Sequence, residues 1–266
     1  MGAPTWLARG LKIQESQIAL RRDIHRLGIH ATELQHLVVA RRTDRLSAEI
    51  SAFLAEAKIH ISPNYEDELP SDDAESDHRP MESEWQDADE NLLDRVEGKR
   101  PDQAFIPLPS NIGHSKCIRL RTQDLVDMEL QLRIGQANDV LQQIWLGVAE
   151  KAVLFHHGLR PATGYLKKTR AWGRVHAADD ALEGQAMIYR KCREAMVKLD
   201  ADEPTLARYQ ILCKEHLNAH TSATNPNARG LRYEVLPWYF NLDIQTGSES
   251  SAWMLECKAI LPTYIV

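Results

Sequence analysis

The chain has 266 residues, with 32 Lys and Arg against 38 Asp and Glu and a formal net charge of −6. This composition is typical of a soluble, mostly helical protein that is long enough for one large or two small cores. No apolar run approaches the roughly 18 residues that a bilayer-spanning helix requires, and the amino terminus lacks the pattern of a signal peptide. We therefore expect an intracellular protein with no membrane partner, in the nucleus if it acts with DNA and otherwise in the cytoplasm.

Four cysteines are spread along the chain without a CxxC pair: Cys117, Cys192, Cys213 and Cys257. Zinc knuckles, redox motifs and the disulfide frameworks of secreted domains all use more closely patterned cysteines. The spacing predicts that these cysteines are reduced thiols in the protein core.

Negative charge is concentrated in one segment. Residues 64–102 contain 15 acidic and 4 basic side chains, a local balance of −11, so the rest of the chain carries +5. Few apolar residues there offset the entropy lost on ordering. We predict a disordered acidic linker over residues 64–104. A short helical turn over residues 85–96, and competition with nucleic acid for a basic surface, remain alternatives.

Apolar residues recur at helical spacing before this linker. One stripe covers residues 7–27, and Gly28 follows it as a typical stop. Thr32 and Gln35 have the spacing of a capping box at the start of a second helix. The apolar stripe of that helix consists of Leu34, Leu37, Val38, Leu46, Ile50, Phe53, Leu54, Ala57 and Ile61. Because the connection is short, residues 1–63 are predicted to fold as an antiparallel helical hairpin.

Longer helical patterns follow the linker. Prolines predict extended backbone over residues 106–110, because proline restricts its own backbone and that of the preceding residue. Two long patterns, from about Thr122 to His157 and from about Lys167 to Leu199, are expected to pack against each other in antiparallel fashion. Gly158 is the expected stop of the first pattern.

A shorter helix and an aromatic segment complete this part of the chain. Asp202 and Pro204 predict the start of a helix that continues through Leu212, and the apolar cluster over residues 236–240 is expected to cover one end of the bundle. The predicted fold is therefore all-α. A helical hairpin (1–63) and a bundle of long antiparallel helices (105–266) are joined by the disordered acidic linker (64–104).

Enzyme motifs are missing from the sequence. It contains no GxxxxGK[ST] or GxGxxG loop, no GxSxG elbow and no HExxH zinc site. His176, Asp179 and Asp180 have the spacing of groups that share a metal ion on one side of a helix, but such sets are common by chance. We interpret them as a solvated polar face. The sequence predicts no catalytic residue, no metal, no cofactor and no small-molecule substrate.

The densest basic group lies around the start of the last long helix and comprises Arg160, Lys167, Lys168, Arg170 and Arg174. Such a group can pair with phosphates, and Trp172 adds a stacking surface if it is exposed. Trp172 also fits the apolar stripe of its helix, and the group falls short of a recognition motif. DNA contact through these five residues is one hypothesis, and a solvated charge cluster is the default.

Several separated motifs carry a family resemblance. They are Ile106–Ser110, Leu132–Asp139, Lys168–Trp172 and Asn225–Gly230, together with residues 6–14 and 26–28. In this order they resemble the carboxy-terminal part of fungal Kyakuja-Dileera-Zisupton (KDZ) transposase-like proteins. The resemblance implies a family that cuts and joins DNA with an RNase H-like core, whose acidic metal ligands lie upstream of the matched region. No residue of this chain matches such a ligand, so the resemblance implies no active site here.

These features lead to three functional hypotheses. The first is a non-catalytic helical tail module of a KDZ transposase-like protein, which self-associates, binds a helical protein partner or scaffolds a complex through its apolar stripes. The second is a DNA-binding accessory module that uses the basic group. The third is a degenerate fragment without a selected function.

Overall fold

The computed structural model of this chain describes residues 2–28, 31–61, 100–218 and 237–242. Every regular element in these ranges is a helix, which confirms the predicted all-α fold. The predicted acidic linker lies outside the described residues from position 64 to position 99, and so do Cys257 and the motif at residues 225–230.

Long helices account for most of the described chain. They are α1 (Ala3–Arg26), α2 (Glu33–His60), α5 (Gln123–Val153) and α6 (Tyr165–Lys198). The shorter helices are α3 (Pro109–Ile112), α4 (His114–Arg119) and α7 (Glu203–Arg208), and 3₁₀ turns cover Lys214–Leu217 and Trp238–Asn241. A π-helical turn, Leu154–Leu159, follows α5 directly. The chain divides into two compact units, Met1–Glu129 and Leu130–Val266. This division falls inside α5, and the three-part division of the sequence stays a prediction.

In the first unit, α1 and α2 form the predicted antiparallel hairpin. Trp6, near the start of α1, stacks on Phe53, near the end of α2, with ring centroids 4.8 Å apart and an interplanar angle of 4°. Near the other end of the hairpin, Arg42 of α2 forms an ion pair with Asp23 of α1. The start of α1 thus contacts the end of α2, and the end of α1 contacts an earlier part of α2. This pairing confirms that the two helices are antiparallel.

The start of α2 confirms the predicted capping box. The backbone N–H of Gln35 donates to Thr32 Oγ1 at 3.3 Å, and the backbone N–H of Thr32 donates to Gln35 Oε1 at 2.8 Å. These reciprocal bonds satisfy two donors that the first helical turn otherwise leaves without partners.

The predicted apolar stripe of α2 is buried only in its second half. Leu46, Ile50 and Phe53 are buried, but Leu34, Leu37 and Val38 are 68%, 45% and 41% exposed, so their predicted burial is wrong. The register that brings Arg42 to Asp23 explains the difference. Because α1 ends at Arg26, shortly after Asp23, it is too short to cover the first turns of α2.

The carboxyl-terminal end of the predicted linker is folded onto α1. Asp102 is 2% exposed, and its carbonyl oxygen accepts from Arg21 Nη2 at 3.0 Å. The side-chain amide of Gln17 donates to two further carbonyls of the segment, at 2.9 and 2.8 Å. The prediction of disorder is therefore wrong for residues 100–104, because donors on α1 satisfy this backbone.

Extended backbone over residues 106–110 is confirmed only as far as Leu108. Pro109 begins α3, since its fixed backbone angle suits the first position of a helix. The carboxylate of Glu129, which is buried in α5, accepts from the backbone N–H of Ser110 at 2.9 Å and from its hydroxyl at 2.6 Å. This carboxylate holds the start of α3 in place. The short helix α4 lies where the sequence predicted no helix.

Gly10 lies where α1 approaches its neighbours most closely. A Cβ atom at this position would be 2.7 Å from Leu108 Cδ2 and 2.8 Å from Phe53 Cζ. Both neighbours are fully buried, so neither side chain can move into solvent. The close packing of the hairpin therefore requires glycine at this position.

We expect Gly10→Ala to lower the free energy of unfolding by about 1–3 kcal/mol, because overpacking outweighs the better helix propensity of alanine. Gly135→Ala is the matched control, since Gly135 is also inside a long helix but has no neighbour within 4 Å of a new Cβ. It should raise the free energy of unfolding by about 0.5–1 kcal/mol. Denaturant unfolding followed by circular dichroism measures both. A stabilising Gly10→Ala would contradict the packing described here.

In the second unit, α5 and α6 pack in the predicted antiparallel arrangement. Cys192 Sγ donates to the carbonyl oxygen of Arg133 at 3.0 Å, near the start of α5. At the other end, Lys151 of α5 forms an ion pair with Asp179 of α6. The core between these helices includes Leu141, Ile144, Trp145, Leu182, Ala186, Tyr189 and Met196, and Tyr239 of the predicted aromatic cluster packs into it.

The end of α5 differs from the prediction. Gly158 is not a stop but lies inside the π-helical turn, where the backbone N–H of Arg160 donates to the carbonyl oxygen of Phe155 at 3.1 Å. Pro161, which has no N–H to donate, follows directly. In the connection between this turn and α6, the residue with a positive φ is Gly164, at +89°, immediately before α6.

The helix that begins after Asp202 is shorter than predicted. It ends at Arg208, and the predicted extension to Leu212 is wrong. The chain leaves the helical conformation at Tyr209 (φ −97°, ψ 77°), and side chains of α6 hold the segment that begins there by donating to its carbonyl oxygens. The bonds are Tyr189 Oη to Gln210 O (2.8 Å), Arg190 Nε to Leu212 O (3.2 Å) and Arg193 Nε to Tyr209 O (2.9 Å).

Two buried phenols make the second unit sensitive to alkaline pH. Burial raises the pKa of Tyr189 and of Tyr239 above the ordinary value of 10.0, and each hydroxyl donates to a backbone carbonyl oxygen. Above about pH 10 the unfolded chain loses these protons while the folded chain keeps them, so stability falls as pH rises. We expect a decrease of about 1.4 kcal/mol per pH unit for each phenol.

Denaturant unfolding at a series of pH values above neutrality tests this expectation. The Tyr189→Phe/Tyr239→Phe variant should be less stable at neutral pH, since two hydrogen bonds are gone. Its free energy of unfolding should also fall much less than that of the wild-type protein as pH rises above about 10. If the free energy of unfolding of this variant falls as steeply with pH as that of the wild-type protein, groups other than these two phenols cause the fall.

Candidate nucleic-acid interface

The basic group belongs to a stretch of chain that contains no carboxylate side chain. Residues 151–178 include six Lys and Arg and three His, and neither Asp nor Glu. The stretch covers the end of α5, the π-helical turn and the first turns of α6. Cations that are near in sequence are therefore also near in space, and Lys151, at the edge of the stretch, pairs with Asp179 just outside it.

The structure divides the predicted basic group between two sides of α6. Lys167, Arg170 and Arg174 have the spacing i, i+3 and i+7, which places them along one side of the helix. The buried residues Ala171 and Val175 form the stripe that faces the unit's interior. Lys168 lies on the other side of that stripe, and Arg160 lies outside α6, at the end of the π-helical turn.

Three of these cations share one concavity, which we call the basic concavity. It has a volume of ≈ 270 Å³ and is lined by Gly158, Pro161, Ala162, Lys167, Arg170 and Arg174. The π-helical turn forms its opposite wall, and a Cβ atom on Gly158 would be 3.7 Å from Arg174 Nη2. The wall residues could not be predicted from the sequence, because only the folded turn brings them against α6.

The electrostatics of the basic concavity favour an anion. In the ranges that the structure describes, no carboxylate forms an ion pair with Lys167, Lys168, Arg170 or Arg174. Lys167 and Lys168 lie in the first turn of α6, where the positive end of the helix dipole disfavours cations. A bound anion would relieve both the mutual repulsion of these cations and their repulsion by the helix end.

On the other side of the buried stripe, α6 carries an aromatic ridge, formed by Tyr165, Lys168, Trp172 and His176. Trp172 is 44% exposed, so it is not a core residue. Its ring stacks against His176, with centroids 5.7 Å apart at 28°, and makes an edge contact with Phe155 at 6.0 Å. Both interpretations of Trp172 thus hold in part, since it packs on the π-helical turn and also presents aromatic surface to solvent.

The residues that the sequence analysis considered for a metal are engaged otherwise. Asp179 forms an ion pair with Lys151, and His176 stacks on Trp172. Among the described residues, no group of three His, Cys, Asp or Glu side chains is arranged to hold a metal ion.

The cysteine prediction holds for two of the three described cysteines. Cys117 and Cys192 are buried, and burial raises the pKa of the Cys117 thiol. Cys213 is exposed, which corrects the prediction. It lies at the N-cap of the 3₁₀ turn Lys214–Leu217, where its thiol stays at the surface while its neighbour Leu212 is buried.

Two further observations concern membrane contact and relationship to known proteins. None of the helices that the structure describes combines the length and apolar character needed to cross a bilayer. No protein-family model, curated protein or solved structure matches the chain. The resemblance to KDZ transposase-like proteins therefore stays a prediction.

Proposed function

We propose that this protein is a non-catalytic helical module that binds nucleic acid through the π-helical turn and the first turns of α6. The observation that carries this proposal is the basic concavity, in which Lys167, Arg170 and Arg174 converge within a stretch that lacks acidic residues. The regular spacing of these cations along a helix matches a ligand with repeated negative charges, such as a phosphate backbone.

Net charge supports a localised interface. The chain carries −6 overall, so a polyanion is repelled by the molecule as a whole. Attraction must therefore come from a region in which cations are concentrated and acidic residues are absent. The acid-free stretch over residues 151–178 provides such a region.

A salt titration of DNA binding tests the proposal. Three to five phosphate contacts predict that the logarithm of the association constant falls with the logarithm of salt concentration. The slope should be about −2.7 to −4.5 for duplex DNA and about −2.1 to −3.5 for a single strand. Fluorescence anisotropy with a labelled oligonucleotide measures this slope between about 50 and 200 mM salt. Undetectable binding at the lowest salt concentration, or an affinity that does not depend on salt, would contradict the proposal.

Association with a protein is the second candidate, and one observation favours it. Most of the apolar stripes that motivated this hypothesis are used inside the two units, as Phe53 and Leu141 illustrate. The exposed residues Leu34, Leu37 and Val38 at the start of α2 remain. They would form the contact with a second copy or a helical partner, including one within a transposase-like complex.

Sedimentation across a range of protein concentrations tests self-association. If the start of α2 forms the contact, Leu37→Glu/Val38→Glu should shift the protein towards monomer, because burying two carboxylates in an apolar contact is unfavourable. A wild-type protein that stays monomeric at every concentration would exclude self-association through this surface.

A further inference from the structure

The aromatic ridge alternates rings and a cation along one side of α6. Tyr165, Lys168 and Trp172 have the spacing i, i+3 and i+7, and His176 continues the same line one turn later. Tyr165 is 83% exposed and makes no ring contact within the part of the chain that the structure describes. Aromatic surface is therefore open to solvent beside a cation that has no carboxylate partner.

We infer that this ridge stacks unpaired nucleobases, so that the ligand of the proposed interface is single-stranded nucleic acid. The inference rests on the proposed function and adds to it the class of ligand. The bases of a duplex are already stacked on each other, whereas single strands expose base faces to aromatic side chains. A ridge of exposed rings beside cations therefore discriminates in favour of single strands.

Distances along the helix are compatible with this arrangement. Tyr165 and Trp172 are separated by about 10 Å along the axis, given the rise of an α-helix. Lys168 lies between them, where it would meet the phosphate that joins two stacked nucleotides. The strand would reach the basic concavity by crossing the exposed face of α6 that carries Leu166, Thr169 and Gly173.

The face of α6 that points away from the unit lacks the side chains that a helix needs to read the major groove of a duplex. A recognition helix reads base edges with long polar side chains on the face that points away from its own domain. Opposite the buried stripe of Ala171 and Val175, α6 carries Leu166, Thr169 and Gly173. Its cations instead flank the helix, where they reach a backbone more readily than base edges.

Binding of a single-stranded oligonucleotide and of the duplex of the same sequence tests the inference. We expect the wild-type protein to bind the single strand more tightly. Trp172→Ala should weaken single-strand binding about 5- to 150-fold, which is the range for loss of one stacked base. Its effect on duplex binding should be smaller than twofold. Trp172→Phe should keep most of the single-strand affinity, because it retains a ring.

A second variant and a control separate stacking from folding. Trp172 also contacts Phe155, so Trp172→Ala can alter the local structure. Tyr165→Ala does not have this problem, since the Tyr165 side chain is almost fully exposed, and it should weaken single-strand binding with unchanged thermal stability. Phe105→Ala removes another exposed ring, in the first unit. It should change neither the affinity for the single strand nor the affinity for the duplex. None of these substitutions alters the net charge.

The outcomes distinguish this inference from the proposed function. Selective loss of single-strand binding in Trp172→Ala and Tyr165→Ala supports both. Tighter binding of the duplex, or equal losses for both ligands, would overturn the stacking ridge while salt-dependent binding still supports the basic concavity. Absence of binding to either ligand would overturn both.

Discussion

Reversing the charge of the three cations in the basic concavity should weaken nucleic-acid binding on the order of 100-fold or more at low salt. The variant is Lys167→Glu/Arg170→Glu/Arg174→Glu. It replaces attraction to phosphate with repulsion, at the point where the structure concentrates positive charge. The slope of affinity against salt should also become shallower, by about 0.7 for each phosphate of a single strand that is no longer neutralised. Anisotropy titrations at several salt concentrations measure both effects.

Net charge alone also weakens binding to a polyanion, so the control must match it. Lys12→Glu/Arg41→Glu/Lys116→Glu changes the charge by the same amount, on helices of the first unit. We expect this variant to bind within a few-fold of the wild-type protein, because these positions lie outside the acid-free stretch. Equally weak binding by the two variants would mean that binding does not depend on the concavity.

Removing the buried carboxylate that holds α3 should have the largest effect on stability. We expect Glu129→Ala to lower the free energy of unfolding by about 3–5 kcal/mol, because it leaves buried groups without partners. Glu129 is 0% exposed and accepts from both the N–H and the hydroxyl of Ser110. In the variant these donors stay buried without this acceptor, in addition to the cavity that forms. Denaturant unfolding followed by circular dichroism measures the decrease.

Two further variants identify the cause of that decrease. Glu129→Gln keeps the shape and an acceptor oxygen, so it should be more stable than Glu129→Ala. Asp127→Ala removes an exposed carboxylate two residues earlier in the same helix and should change the free energy of unfolding by no more than about 0.5 kcal/mol. A Glu129→Ala protein as stable as Asp127→Ala would contradict the capping role of this carboxylate.

Features that depend on local sequence could be predicted well. The capping box at Thr32 and Gln35 indicated the start of α2, because both partners lie within one helical turn. The extents of α5 and α6 followed from apolar periodicity, which extends over many turns in each helix. Even there, the π-helical turn at Leu154–Leu159 was missed, since a change in hydrogen-bonding pattern leaves no mark in hydrophobic spacing.

Features that depend on distant partners could not be predicted. Asp102 lies in a strongly acidic stretch of sequence, and its burial depends on donors in α1, about 80 positions earlier. The exposure of Leu34 depends on where α1 ends relative to α2. Similarly, the non-helical segment after α7 is held by arginines of α6, which donate to its carbonyl oxygens from 16 and 22 positions earlier in the chain. No pattern within these segments contains that information.

The candidate site was predictable in composition but not in arrangement. Sequence density alone identified the basic group from Arg160 to Arg174. Its division into a concavity and an aromatic ridge depends on the direction of the buried stripe at Ala171 and Val175, which becomes known only when α6 is packed. Helical spacing then explains why Lys168 lies on the same side of α6 as Trp172, and Lys167 on the same side as Arg170.

Lysine acetylation with and without bound oligonucleotide, read out by mass spectrometry, tests the location of the proposed interface most directly. The proposal predicts that Lys167 and Lys168 become protected when nucleic acid binds. Lys12 and Lys116, which lie on α1 and α4, should react equally in both samples. Protection of Lys12 and Lys116, with Lys167 and Lys168 still reactive in the complex, would contradict the proposed interface.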